Sequence, residues 1–173
     1  MGYALQKWIE TPFFEKRLEE KVRSGVQIRV LIMDVDNERL QAILNPKISE
    51  FIASQTKRSV QQTMELMKRV ADKLQKGAPL QGSFEFRTLR EGTILTQLCR
   101  TDARLTALQY LYSVHPSGSP LLEVSGEDSE LFKVYMDEFK TLWDAGVTVA
   151  AFPPKSVPSS DARQNVEDED EHS

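Results

Sequence analysis

Few residues in this sequence carry chemistry, and few of those few fall close together. His115 lies in the loop His115-Pro116-Ser117-Gly118-Ser119-Pro120, with Ser113 just before it. A histidine base beside a serine is the start of a nucleophilic pair; a loop histidine facing water does nothing. The other histidine, His172, is in the C-terminal run. Cys99 has no histidine near it in sequence and reads as a small hydrophobe in a strand. Asp34 and Asp36, in Leu31-Ile32-Met33-Asp34-Val35-Asp36-Asn37, offer two carboxylates without a histidine or further acid nearby, a thin start for a cation site. The other role for that turn is helix capping by Asp36 or Asn37. Arg87, Arg90, Arg100 and Arg104 cluster in one region, and the planar guanidinium fork suits phosphate and carboxylate groups. If two or more converge on one cleft, Arg87, Arg90 and Arg100 with Gln97, Asp102 and His115 form a site for an anionic ligand such as a nucleotide. If they do not, they are solvated charges on strand edges and turns. No phosphate-binding Gly-rich loop, dinucleotide fingerprint, Cys-x-x-Cys or His-Glu-x-x-His occurs, so no cofactor and no metal site is expected.

The elements that would position these residues follow from periodicity and punctuation. Thr11-Pro12 suits a helix start, Phe14, Leu18 and Val22 recur every four residues, and Ser24-Gly25 suits its end. Val26 to Asp34 is β-branched and almost wholly apolar from Val30, as in a strand covered on both faces. The acidic turn stands at the carboxyl end of that strand, where open α/β sheets place ligands, and a short helix is expected from Glu38 to Leu44. A long helix is expected from Lys47 to Lys76, stopped by Gly77-Ala78-Pro79. Ser83 to Leu89 alternates, with Phe84, Phe86 and Thr88 on one side. Thr93 to Cys99 and Leu105 to Tyr112 read as a hairpin turning at Arg100-Thr101-Asp102, followed by a short strand, Leu121 to Val124. Ser129 to Ala145 is an amphipathic helix with Leu131, Val134, Tyr135, Phe139 and Leu142 on one stripe. Val147 to Phe152 is a last strand or a docked tail.

Composition narrows the class. The chain has 173 residues, 40% apolar and 28% charged, within the range of one soluble domain. We place that domain at residues 1–152 and read 153–173, rich in Pro and Ser and then acidic, as a disordered tail. The tail from Lys155 holds two basic and six acidic residues; removing them from 22 and 26 leaves twenty of each sign. A neutral body does not indicate a nucleic-acid surface. A single cysteine and the lack of a long apolar run point to a cytoplasmic protein without a membrane span.

The order of βα unit, long helix, short strands and final helix resembles one repeat of the phospholipase D-like fold. It is closer still to the degenerate phospholipase D-like domains attached to bacterial helix-turn-helix regulators. The phrases that carry this are Gly25 to Asp34 with Asp36-Asn37, Asp102 before a strand ending in Tyr112, and Ser119-Pro120 leading into a strand. The last is Leu131-Phe132-x-x-Tyr135-x-x-x-Phe139-x-x-Leu142-Trp143. The resemblance spans about residues 3 to 145.

It implies an α/β fold with a mixed sheet flanked by helices, and a homodimer, because single halves of this type pair around their site. The active motif is His-x-Lys with an Asp after four further residues. With Asp102 in the Asp position, Leu95 takes the histidine position and Gln97 the lysine position. Neither replaces its counterpart: leucine cannot attack phosphorus, and glutamine offers only a neutral hydrogen bond. Such domains also open with a strand before the Gly-x-x-Leu stretch matched by Gly2 to Leu5, so the first strand is expected to be missing or supplied by a partner. The resulting expectation is a non-catalytic sensing, regulatory or interaction module. A phosphodiesterase or nuclease with a remodelled site around His115, Asp102 and the arginines is the alternative, as is a purely structural dimerisation module.

Overall fold

The structure, a computed structural model, describes residues 10–40, 50–109 and 119–154. The expected start of the long helix at Lys47, the His115 loop and the tail from Lys155 lie outside these residues.

Helix α1 (Phe14–Arg23) buries Val22 and packs Phe14 and Leu18 against the core, as the four-residue spacing predicts. It starts two residues later than Thr11-Pro12 suggests. A backbone turn from the Phe14 N–H to the Thr11 carbonyl occupies the first amide (3.1 Å), and Phe13 takes the N-cap position with φ 63° and no side-chain cap. The helix ends as expected, in a Schellman arrangement: the Val26 N–H reaches the Lys21 carbonyl, the Gly25 N–H reaches Val22, and Gly25 holds φ 101°.

Strand β1 (Gln27–Met33) is buried from Val30 through Met33. It runs parallel to β2 (Ser83–Leu89), in a register from Gln27 opposite Ser83 to Met33 opposite Leu89. The long crossover between them contains α2 (Glu50–Lys76). Strand β6 (Val147–Phe152) pairs antiparallel on the other side of β2, with an irregularity at Phe86/Arg87. This three-stranded sheet, in order β1-β2-β6, is mixed.

The remaining strands do not join it. β3 (Thr96–Thr101), β4 (Arg104–Gln109) and β5 (Leu121–Ser125) form a separate antiparallel sheet. The expectation of a single mixed sheet is therefore corrected to two small sheets. The hairpin starts three residues later than expected and turns at Asp102-Ala103, with Asp102 at φ 51°, a conformation Asp tolerates better than most residues. Leu98, Ala107, Leu105 and Val124 pair across that sheet on one buried face.

Helix α3 (Glu130–Ala145) contacts both sheets, through β2 and through β5. It is capped by Ser129, whose hydroxyl accepts the Phe132 N–H (3.3 Å). On the mixed sheet, Phe84, Phe86 and Thr88 are buried and share one core with the α2 stripe of Val60, Met67, Val70 and Leu74. Arg87 points the other way, towards Trp143 of α3. The mixed sheet is thus the middle of three layers, with α1 and α2 on one side and α3 on the other.

Two close approaches fix the α1 side. Gly82 accepts the turn after α1 so tightly that a Cβ there would lie 2.1 Å from the Val26 carbonyl oxygen. Arg23 donates to the carbonyls of Lys73 and Ala78, satisfying the C-terminal end of α2, and its guanidinium fills the space a side chain at Gly77 would need.

Glu15 ties α1 to α2 through Lys73 (2.6 Å) and Arg69 (3.6 Å). The hydrogen bond from Lys73 holds its carboxyl below the ordinary value of 4.5. A carboxyl lowered on folding stabilises above its unfolded value, and that stability is lost as pH falls through the folded value. Glu15→Gln should therefore lower the thermal midpoint near pH 7, by the equivalent of about 0.5–1 kcal/mol given the exposed partners. The difference from the unsubstituted protein should shrink as pH falls below 4.5 and the folded carboxyl takes up its proton; thermal melts across pH decide it.

Candidate functional site

The carboxyl ends of β1 and β2 lie side by side, so the Asp34–Asn37 turn meets the loop that follows β2. The Asp34 N–H reaches the Leu89 carbonyl (2.9 Å), extending the parallel ladder by one step. Its buried carboxylate accepts the Thr88 hydroxyl (3.0 Å) and the Asp36 N–H (3.1 Å), with Arg90 Nε at 3.8 Å. Asn37 is buried and bonded at both ends of its amide. Nδ2 donates to the carbonyls of Leu89 (2.9 Å) and Gly92 (3.1 Å), while Oδ1 accepts the N–H groups of Arg39 (2.8 Å) and Leu40 (3.1 Å). Of the two roles open to this turn, capping is the one Asn37 performs, for a helix that begins at residue 38. Among the described residues no group of three or more His, Cys, Asp and Glu side chains is placed to hold a metal ion.

The arginines diverge. Arg87 Nε and Nη2 both bond Glu85 (2.7 Å), Nη1 donates to the Trp143 carbonyl (2.8 Å), and the guanidinium stacks 4.5 Å from the Trp143 ring, with Arg29 at 5.7 Å. Arg100 bonds the Asp102 carbonyl (3.0 Å) and Glu127 (2.8 Å) and lies over Phe132. Phe132 and Trp143 are eleven residues apart on α3, about 16 Å along its axis, so Arg87 and Arg100 serve opposite ends of that helix. Arg90 is 70% exposed and meets only Asp34 among the ion pairs of described residues; Arg104 is exposed at the hairpin. Asp102 is an exposed turn residue, Gln97 is half-buried in β3, and His115 lies outside the described residues. None of the candidate arginines, nor Gln97 or Asp102, lines the groove beside α3.

What does gather is apolar. Leu95 is 60% exposed and opens onto a groove of about 680 Å³ shared with Val134, which is 57% exposed. Tyr135, Asp137, Glu138 and Thr141 of α3 line it too, with the ends of β3 and β4 opposite. Sequence periodicity assigned Leu131 and Val134 to the buried stripe of α3; the core instead takes Phe132, Tyr135 and Trp143 and leaves both exposed. The signal was available: Leu131, Phe132, Val134, Tyr135, Met136, Phe139, Leu142 and Trp143 spread over more than one face, wider than a single core contact requires.

Cys99 is half-buried rather than fully buried, and burial pushes its thiol above the ordinary 9.0. Comparison with protein-family models, curated proteins and solved structures finds no match for this chain.

Asn37→Ala should cost about 2–3 kcal/mol, from a lost cap and the lost bonds to the Gly92 carbonyl and to the Leu89 carbonyl, which keeps the Asp34 N–H. Asn37→Asp, which keeps the cap acceptor, should fall between; urea unfolding of the three proteins measures it. The raised Cys99 thiol should alkylate slowly in the folded protein at neutral pH and at the rate of a free thiol once unfolded, as mass spectrometry with iodoacetamide would read.

Proposed function

We propose that this chain is a non-catalytic, phospholipase D-like interaction module that pairs with a second copy of itself across the groove beside α3. The observation that carries the reading is Leu95. Where the motif calls for a nucleophile, the chain presents an exposed leucine facing an exposed valine in one groove. Burying an aliphatic side chain of this size is worth about 1.5–3 kcal/mol, so the position is suited to contact as much as it is unsuited to phosphorus chemistry. Gln97 at the lysine position supplies no charge for a transition state.

An anion-sensing role draws less support. It needs two cations on one recess, whereas Arg87 is spent on Glu85 and Trp143 and Arg100 on Glu127 and the hairpin. Among the described residues no helix is long and apolar enough to cross a membrane.

Sedimentation equilibrium tests the proposal. The protein should self-associate to a dimer, and Leu95→Lys should weaken it by at least about tenfold, the loss of about 1.4 kcal/mol, with an unchanged circular dichroism spectrum. A protein that stays monomeric at every attainable concentration would overturn the reading. So would metal-independent phosphodiesterase turnover abolished by His115→Ala, which would support a remodelled enzyme instead.

A further inference from the structure

Leu131, Val134, Glu138 and Thr141 are all exposed on α3, at intervals of three, four and three residues. They form one stripe about 15 Å long, with the spacing by which helices pair along a seam. Val134, Glu138 and Thr141 also line the groove, so seam and groove are one surface. Leucine, valine and threonine can be buried there at little cost. A carboxylate cannot, unless it gains a proton or a partner.

Glu138 has no partner at hand. The residues one turn to either side of it are Val134, Tyr135, Thr141 and Leu142, and the strand ends across the groove offer Leu95, Thr96 and Gln109. None is charged. Its neighbour Asp137 adds a second acid to the groove. Of the two lysines on α3, Lys140 bonds Asp144 (2.5 Å), which raises its ammonium above the ordinary value with a smaller contribution from Asp137. Lys133 is exposed one turn before Asp137 and forms no ion pair among the described residues. Arg100 of the hairpin is held by Glu127. Four acids against two lysines leave the helix negative.

A two-fold that closes across this groove sets the same patch of each copy against the other. Both copies then bring Asp137 and Glu138 into one contact. Like charges brought together oppose association until they are protonated or screened. Resting on the pairing reading above, we propose that Glu138 gates self-association: with its carboxylate charged the copies pair weakly, and with that charge removed the seam closes. The dimer then holds protons that two free copies do not, so pairing strengthens as pH falls.

Sedimentation equilibrium of the full chain from about pH 8 to about pH 5, at low and high sodium chloride, is the test, with circular dichroism checking the fold at each pH. The unsubstituted dimer should tighten at least about tenfold as pH falls, and should tighten with salt at the upper pH. Glu138→Gln, which keeps the size and removes the charge, should tighten the dimer at the upper pH by a similar factor and flatten both dependences. Glu65→Gln, an equal loss of charge on the exposed face of α2, should leave them unchanged. An equal response from Glu65→Gln would mean general repulsion and overturn the gate. A Leu95-dependent dimer that ignores pH, salt and Glu138→Gln would overturn it too, as would one that salt loosens, in which a partner's cation meets Glu138; pairing would stand in each case. If Glu138→Gln stays monomeric even at about pH 5 and high salt, the pairing reading falls and the gate with it.

Discussion

The parallel pairing of β1 with β2 is the constraint on which the rest depends. Parallel neighbours cannot be joined by a tight turn, so the chain must cross over, and the crossover carries α2. Because β1 is apolar and buried on both faces from Val30 to Met33, layers are required on both sides. α2, backed by α1, supplies one and α3 the other. The same pairing brings two carboxyl ends together, which is why Asn37 finds the carbonyls of Leu89 and Gly92 within reach and why Asp34 meets Thr88.

α3 then decides where the second sheet can sit. Its C-terminal end is fastened to β2 by Trp143, with Arg29 and Arg87 near its ring and Phe139 stacked at 5.5 Å. Its N-terminal half touches β5, and Arg100 over Phe132 links it to the β3–β4 hairpin. One helix cannot turn its whole circumference to two sheets. An apolar arc wider than those contacts leaves Leu131 and Val134 outside, and Val134 with Leu95 lines the groove beside α3.

The arginines show how the same residue type changes meaning with position. Spaced closely in sequence, Arg87, Arg90, Arg100 and Arg104 suggest a recess for an anion. In the fold, Arg87 is a clamp between strand and helix, Arg100 braces a hairpin, and Arg90 and Arg104 face solvent. Charge that suggested ligand recognition instead holds elements together at Arg87 and Arg100.

Local rules determined much of this protein from sequence alone. The two-sided strand from Val30, the alternation of Phe84, Phe86 and Thr88, the Gly25 stop and the helix ending at Ala145 each depend on residues within a turn of one another, and each is found where periodicity and capping chemistry put it. Tertiary structure alone decided the rest. Division of the strands into two sheets depends on pairing between distant segments, which a strand's own pattern does not encode. Which side of α3 is buried depends on what packs against it, since its apolar arc exceeds one face. Whether four arginines converge depends on the direction each strand gives its side chains and on the partners, Glu85, Trp143 and Glu127, that the fold brings to them. Sequence fixes the chemistry available at each position; only the packing of remote segments fixes which groups meet.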